Sequence, residues 1–183
     1  SLSKMFRIGV SGGRCFIKLR DELEHAKSYI DIQQARMANR MIRYEENVPL
    51  SLKEYFVPKI IIQPFLENSI KHGYTNKPNE PVNIGVEAMI DESEKRLRIK
   101  VIDNGDGLPE GWSLDHTKGI GMKNVQERIG MYCGHEYGFT ARNREEGGTE
   151  IDIVLPLLKN QQEADAILDR LSARFGRDMR DQA

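Results

Sequence analysis

Glu67, Asn68 and Lys71 lie in a run from Pro58 to Gly73 whose apolar residues Ile61, Ile62, Phe65, Leu66 and Ile70 recur at helical spacing. At about 100° per residue the three polar side chains share an arc of about 100° on the opposite face, with His72 bordering it. A carboxylate, an amide oxygen and an ammonium gathered this way can address a hydrated Mg²⁺ and phosphate oxygens together. Mg²⁺ favours oxygen ligands and keeps several waters, so one amide oxygen is a reasonable protein share of its shell. Glu67 and Lys71 also make an ordinary i,i+4 surface pair, and this arc alone leaves both readings open.

A second group begins at Asp103, where the apolar stretch Val101-Ile102 runs into a D-x-G-x-G turn with Gly105 and Gly107. An Asp at a strand end can accept a hydrogen bond from an exocyclic amine, and glycines let backbone approach a planar base. The same composition also suits a plain tight turn. A calcium loop counted from Asp103 would need Glu at its twelfth position, which is Leu114. Farther on, Gly119 and Gly121 lead into a helical stretch whose exposed N–H groups and dipole would suit phosphate. Last, Gly147-Gly148-Thr149 turns a hairpin into a strand whose first hydroxyl could reach a base through water. No G-x-x-x-x-G-K-[ST] occurs, which excludes a Walker-type site.

These groups need elements to hold them. Lys18 to about Arg40 reads as a long helix, with Leu19, Leu23, Ala26, Ile30, Gln33 and Met37 forming a seam. That seam fits packing on its own domain or on a helix of a dimer partner. Ser1 to Arg14 has a helical-looking start broken by Gly9, Ser11, Gly12 and Gly13. Met41 to Val48 reads as a strand, Lys59 to His72 as a helix entered at Pro58, and Val82 to Ile90 as a half-buried strand. Asp91 to Lys95 turns into a strand with Leu97, Ile99 and Val101 on one face. Asn104 to Lys118 is a Gly-rich connection expected to act as a mobile lid, followed by a helix over Gly121 to Met131. Tyr137 to Arg144 and Thr149 to Leu155 form a hairpin. From Asn160 a charged helix carries Ala164, Ile167, Leu168, Leu171 and Phe175 on one stripe, buried on the domain or a partner, or else left as a solvated tail. Antiparallel strand pairs with helices between them predict a two-layer α/β sandwich with a mixed sheet and helices on one face, preceded by a helical segment.

The composition narrows the field. With 183 residues, one domain and an appendage fit. The 27 basic and 28 acidic side chains give a net charge of −1, which leaves no basic face for nucleic acid. No apolar run approaches the roughly 20 residues needed to span a bilayer, and no signal-peptide pattern opens the chain. Cys15 and Cys133 lie outside any metal-binding spacing, so a reducing cytoplasmic setting is expected.

In order and spacing, E-N-S-I-K-H-G, D-N-G-D-G, G-I-G-M-K-N-V-Q-E-R-I and G-G-T-E-I-D-I-V-L-P resemble the Bergerat ATP-binding fold of sensor histidine kinases, gyrase B, MutL-type repair proteins and heat-shock chaperones. The variant I-I-I-Q-P-F-L-E-N-S-I-K-H-G, with L-R-D-E-L-E-H-A-K-S-Y-I-D-I-Q-Q-A-R upstream, resembles the LytS-like (YesM-like) sensor histidine kinases. Pro64 stands where many histidine kinases carry a second Asn, a departure the LytS-like group shares. The resemblance implies ATP and Mg²⁺ as cofactors, Asn68 on the metal, Lys71 and His72 near phosphate, and Asp103 on the adenine amine with Gly105 and Gly107 in its turn. It makes Gly119 and Gly121 lid hinges, sets Thr149 near the base, and gives Glu67 a catalytic role beside Asn68. It implies an organisation of 1–40 as the end of a dimerisation and phosphoacceptor region with its joining helix, 41–158 as the catalytic domain and 159–183 as a helical tail. The reaction implied is transfer of the γ-phosphate to a His on dimerisation helices, then to a response regulator receiver domain. The setting implied is a homodimer, a cytoplasmic domain of a membrane-anchored sensor. The acceptor box of the P-H-F-L-F-N type is absent from this chain. An ATP-hydrolysing switch using Glu67 as base, and a degenerate ATP-binding module that binds partners without catalysis, remain as alternatives.

Overall fold

The computed structural model describes residues 15–37, 39–73, 75–77, 79–115 and 120–178, with side chains described as far as Ala173. The expected helical start and its Gly-rich break, Ser1 to Arg14, lie outside them. The elements are β1 (Phe16–Lys18), α1 (Leu19–Arg36), β2 (Ile42–Asn47), β3 (Phe56–Pro58), α2 (Gln63–His72), β4 (Val82–Asp91), β5 (Arg96–Asp103), α3 (Ile120–Cys133), β6 (Gly138–Asn143), β7 (Thr149–Pro156) and α4 (Gln161–Asp178). A five-stranded sheet runs β2-β4-β5-β7-β6; only β2 and β4 pair in parallel, with Tyr44 opposite Ile84. This is the mixed two-layer α/β sandwich that the pattern predicts.

Alternation along β4 and β5 sends Val82, Ile84, Val86, Leu97, Ile99 and Val101 to one buried face, where they meet Phe65 and Leu66 of α2 and Val125 and Ile129 of α3. Each such side chain contributes roughly 1.5–3 kcal/mol when fully buried. The opposite face carries ion pairs, among them Arg98 with Asp152 and Lys100 with Glu150. The β4–β5 turn is held by Asp91, whose Oδ1 accepts from Ser93 N at 3.0 Å and Glu94 N at 3.2 Å.

Leu19, Leu23, Ala26 and Ile30 are buried in this same core, so the seam of α1 packs on its own chain. The helix ends at Arg36, and Gln34 stitches the return: Ile42 N donates to its Oε1 at 2.6 Å, and its Nε2 donates to Arg40 O at 3.0 Å. The carboxy-terminal stripe is buried as far as Leu171, with Ala164 and Ile167 in the core and Leu168 and Leu171 against it, and the Phe175 side chain lies outside the described residues. Asn160 caps α4, since Glu163 N donates to its Oδ1 at 2.9 Å, and Glu163 Oε2 reaches back to accept from Lys159 N at 2.7 Å. No helix among the described residues is long and apolar enough to cross a membrane.

The helix expected from Lys59 starts later. Phe56–Pro58 is a strand paired with Phe16–Lys18, residues 59–62 form a bend, and α2 begins at Gln63. The bend's backbone N–H groups are taken by a carboxylate from α1 instead of entering a helix. Ile60, Ile61 and Ile62 donate to Glu22 at 2.8, 2.7 and 2.9 Å.

Candidate functional site

The C-terminal half of α2, the end of β5, the turn after it, the first turn of α3 and the start of β7 enclose a cavity of about 670 Å³. That size suits a nucleotide-sized ligand. Asp103 sits at its floor, only 6% exposed. Its Oδ1 accepts from Gly105 N at 2.8 Å and Thr149 N at 3.1 Å, and its Oδ2 accepts from Ser69 Oγ at 2.6 Å. A carboxylate offers about four acceptor positions, so Oδ2 retains one. A ligand N–H donor entering the cavity is the natural partner for it.

Two glycines make this floor. A Cβ on Gly105 would fall on the carbonyl oxygen of Gly73, the residue that ends α2, and would touch Asp103 Oδ1. Gly148, at φ +87°, passes so close to the Asp103 carbonyl that no side chain fits there. The two tie the helix end and the β6–β7 turn against the end of β5.

Glu67, Asn68, Lys71 and His72 all line the cavity, on the wall that α2 provides. Glu67 accepts from Gln63 Nε2 at 2.9 Å and lies 3.5 Å from Lys71 Nζ, so the i,i+4 pair and the shared arc coexist. Among the described residues no side-chain hydrogen bond engages the Asn68 amide. No cluster of three or more His, Cys, Asp or Glu able to cage a metal occurs among them either. A lone free amide fits a Mg²⁺ carried mainly by ligand phosphates and water, and does not fit a cation held by the protein alone.

Thr149 and Gly107 also line the cavity, as does Gly121 with its neighbours Ile120 and Met122 in the first turn of α3. Gly105 lies just beneath it. Gly119 falls outside the described residues. The connection after β5 is described to Asp115 and is tied down at its start. Leu108 N donates to Asn143 Oδ1 at 2.6 Å, and Asn143 Nδ2 donates back to Leu108 O at 3.1 Å. Trp112 and Leu114 pack against the core, and Leu108, Pro109 and Trp112 line the cavity. The segment therefore has more anchorage than its Gly-rich composition suggests.

Ser69 is the site residue that sequence reasoning missed. It lies on the buried stripe of α2 between Leu66 and Ile70, 5% exposed, and orients Asp103 from there. A lone hydroxyl on an otherwise apolar face was the available signal. Asn76 was also missed: its N–H donates to Asp106 Oδ2 at 2.9 Å on the cavity wall.

Residues 57–159 match the family model described as histidine kinase-, DNA gyrase B-, and HSP90-like ATPase, and residues 1–41 match one described as histidine kinase. The chain is 32% identical over 180 residues to sensor protein LytS of Enterococcus faecalis, covering 92% of this chain and 29% of that protein. It is 30% identical over 159 residues to sensor histidine kinase YesM of Bacillus subtilis, covering 85% and 26%. It thus spans less than a third of the length of these curated relatives. The fold is similar to the histidine kinase domain of the Erythrobacter litoralis blue-light activated histidine kinase, with a TM-score of 0.61 at 20% identity, covering 92% of this chain and 74% of that one. It is also similar to the catalytic domain of histidine kinase ThkA, with a TM-score of 0.57 at 18% identity, covering 78% and 95%.

Proposed function

Since the chain belongs to the histidine kinase-, DNA gyrase B-, and HSP90-like ATPase family, we propose that it is the ATP-binding catalytic portion of a two-component sensor histidine kinase. One observation carries this reading: the buried Asp103 keeps a single acceptor position, on a nucleotide-sized cavity whose wall presents Asn68 and Lys71. The adenine amine donates to that position on Oδ2, while Ser69, Gly105 and Thr149 hold the carboxylate still. Lys71 leaves its pairing with Glu67 to meet phosphate oxygens, which its exposed, flexible stem permits. The first turn of α3 presents backbone N–H groups to the same end of the ligand.

Asn68 is the residue that would hold Mg²⁺, which when bound neutralises phosphate charge during transfer. Glu67, gripped by Gln63, orients the attacking imidazole or its proton, and His72 borders the phosphates. Residues 1–40 are the end of a dimerisation and phosphoacceptor region with its joining helix, 41–158 the catalytic domain, and 159–183 a tail. The acceptor imidazole comes from dimerisation helices of a homodimer and passes phosphate to a response regulator, with the whole acting as the cytoplasmic part of a membrane-anchored sensor.

Labelled ATP given to the full-length protein separates the outcomes. Acid-labile phosphohistidine is expected. Free phosphate without protein label would instead indicate a hydrolytic switch, and bound but unconverted ATP a non-catalytic module.

A further inference from the structure

Away from the cavity, the bend at residues 59–62 is gripped from two sides. Glu22 is 2% exposed, and no cation pairs with it among the described residues. A buried carboxylate is costly unless donors surround it, and here those donors are the three consecutive N–H groups of Ile60, Ile61 and Ile62. They lie immediately before α2, where a negative charge also meets the favourable end of the helix dipole. On the carbonyl side, Arg128 of α3 donates from Nη1 to Ile60 O at 2.5 Å and to Lys59 O at 3.3 Å. Between the two grips Ile60 has φ +60°, a conformation that a β-branched residue rarely adopts unless its surroundings impose it.

Three helices therefore meet at one short bend. α1 supplies the carboxylate, α3 the guanidinium, and α2 leaves the bend to carry Glu67, Asn68, Ser69 and Lys71. Tyr29 lies seven residues after Glu22, on the same face of α1, and its hydroxyl is buried with no hydrogen-bond partner among the described residues. Burial and then the charge of Glu67 push that phenol up from its ordinary range.

We infer that Glu22 and Arg128 are positioning residues, which together fix α2 relative to α1 and α3 and so set the affinity of the cavity for its nucleotide. A shift of α1 along its axis would draw Glu22 from the three N–H groups and free the bend. This inference rests on the ATP-binding reading, because the ligand whose affinity changes is the one proposed above.

The test uses Glu22→Gln, Arg128→Gln and Arg128→Lys in the chain as it stands, with two readouts. In amide hydrogen exchange, Glu22→Gln should accelerate α2 amides by at least about tenfold while those of β5 and β7 hold, since the new amide sets a donor against a donor. In calorimetry with Mg-ATP, it should weaken binding by at least about fivefold at a temperature where the fold is intact. Arg128→Gln should move both readouts in the same direction, and Arg128→Lys should restore part of the loss. Equal acceleration in α2 and the sheet, or unchanged affinity in folded variants, would make Glu22 a stability residue only and overturn the inference. If Glu22→Gln fails to fold, Arg128→Gln decides by the same criteria, its guanidinium lying on the exposed side of the bend. If the parent chain binds no ATP, the nucleotide reading itself fails, and with it the affinity half of the inference, while exchange still decides whether the bend is a joint.

Discussion

Replacing Asp103 by Asn changes one oxygen to an NH₂ and leaves the shape alone, so its effect follows from which oxygen is lost. The Oδ1 position faces the Gly105 and Thr149 backbone N–H groups, which are fixed donors, so the amide oxygen must stay there. The NH₂ then takes the Oδ2 position. Ser69 tolerates this, because its hydroxyl can turn and accept. The adenine amine cannot, for two donors would then face each other. Losing a hydrogen bond to a charged group costs about 1.5–3 kcal/mol, so ATP affinity should fall by roughly 10- to 150-fold. The same geometry predicts a compensating gain. Inosine triphosphate carries a carbonyl where adenine carries its amine, and should bind the variant relatively better than the parent. Calorimetry at 25 °C with both nucleotides measures the two effects, and a melting curve confirms the fold. Unchanged ATP affinity in a folded variant would remove Asp103 from the base site. A loss without any relative gain for inosine triphosphate would refute the assignment of the free position to Oδ2.

Asn68→Ala should reduce the Mg²⁺-dependent part of ATP binding most, and an equal loss in chelator and in Mg²⁺ would argue against a metal ligand. Ile167→Ala, in the buried stripe of α4, should cost about 2–4 kcal/mol in urea unfolding, whereas a change under 0.5 kcal/mol would make α4 dispensable to the core. Burial, with the charge of Glu136 added, holds the Cys133 thiol well above its ordinary range. A raised pKa in the folded state gives stability that is present below the unfolded pKa of about 8.5 and is lost as pH rises past it. Between pH 8.5 and 10 the parent should therefore lose stability faster than Cys133→Ala, by up to about 1.4 kcal/mol per pH unit, and identical slopes in urea titrations would contradict the burial argument.

What was legible in the sequence was local. Alternation in β4 and β5, the glycines of the β6–β7 hairpin and the apolar face of α2 are near-neighbour patterns, and all were readable from spacing. The motif order then identified the cavity wall and the floor Asp. What was hidden depended on distant partners. Ile60-Ile61-Ile62 reads as the first turn of a helix until Glu22, about 40 positions earlier, takes its N–H groups. Ser69 reads as a gap in an apolar stripe until Asp103 is brought opposite it. The three-residue strand Phe56–Pro58 exists only because Phe16–Lys18 lies alongside, and strands that short leave no period to detect. The connection after β5 looked free because its anchor, Asn143, stands at the end of β6.

The last prediction concerns the acceptor imidazole. A phosphoacceptor His must reach the γ-phosphate in line from an exposed helical face. His25 is exposed on α1, but that helix is fixed to the same body as the cavity. Leu23 and Ala26 bury its inner face, and Glu22 ties it to the bend before α2. His25 therefore faces away from the core that the site is built on, and its neighbour Glu24 adds like charge against an incoming triphosphate. His72 is carried by the cavity wall itself, so it moves with the site instead of approaching it. His135 follows the end of α3, with its ring against Gly130. His116 lies outside the described residues; the chain alone should accordingly bind Mg-ATP and incorporate no acid-labile, base-stable label at His25, His72 or His135. Label should appear when a segment bearing the P-H-F-L-F-N-type acceptor helix is joined upstream. Label on His25 in the chain alone, lost in His25→Gln, would show that α1 leaves the body and delivers its own imidazole to a neighbouring site.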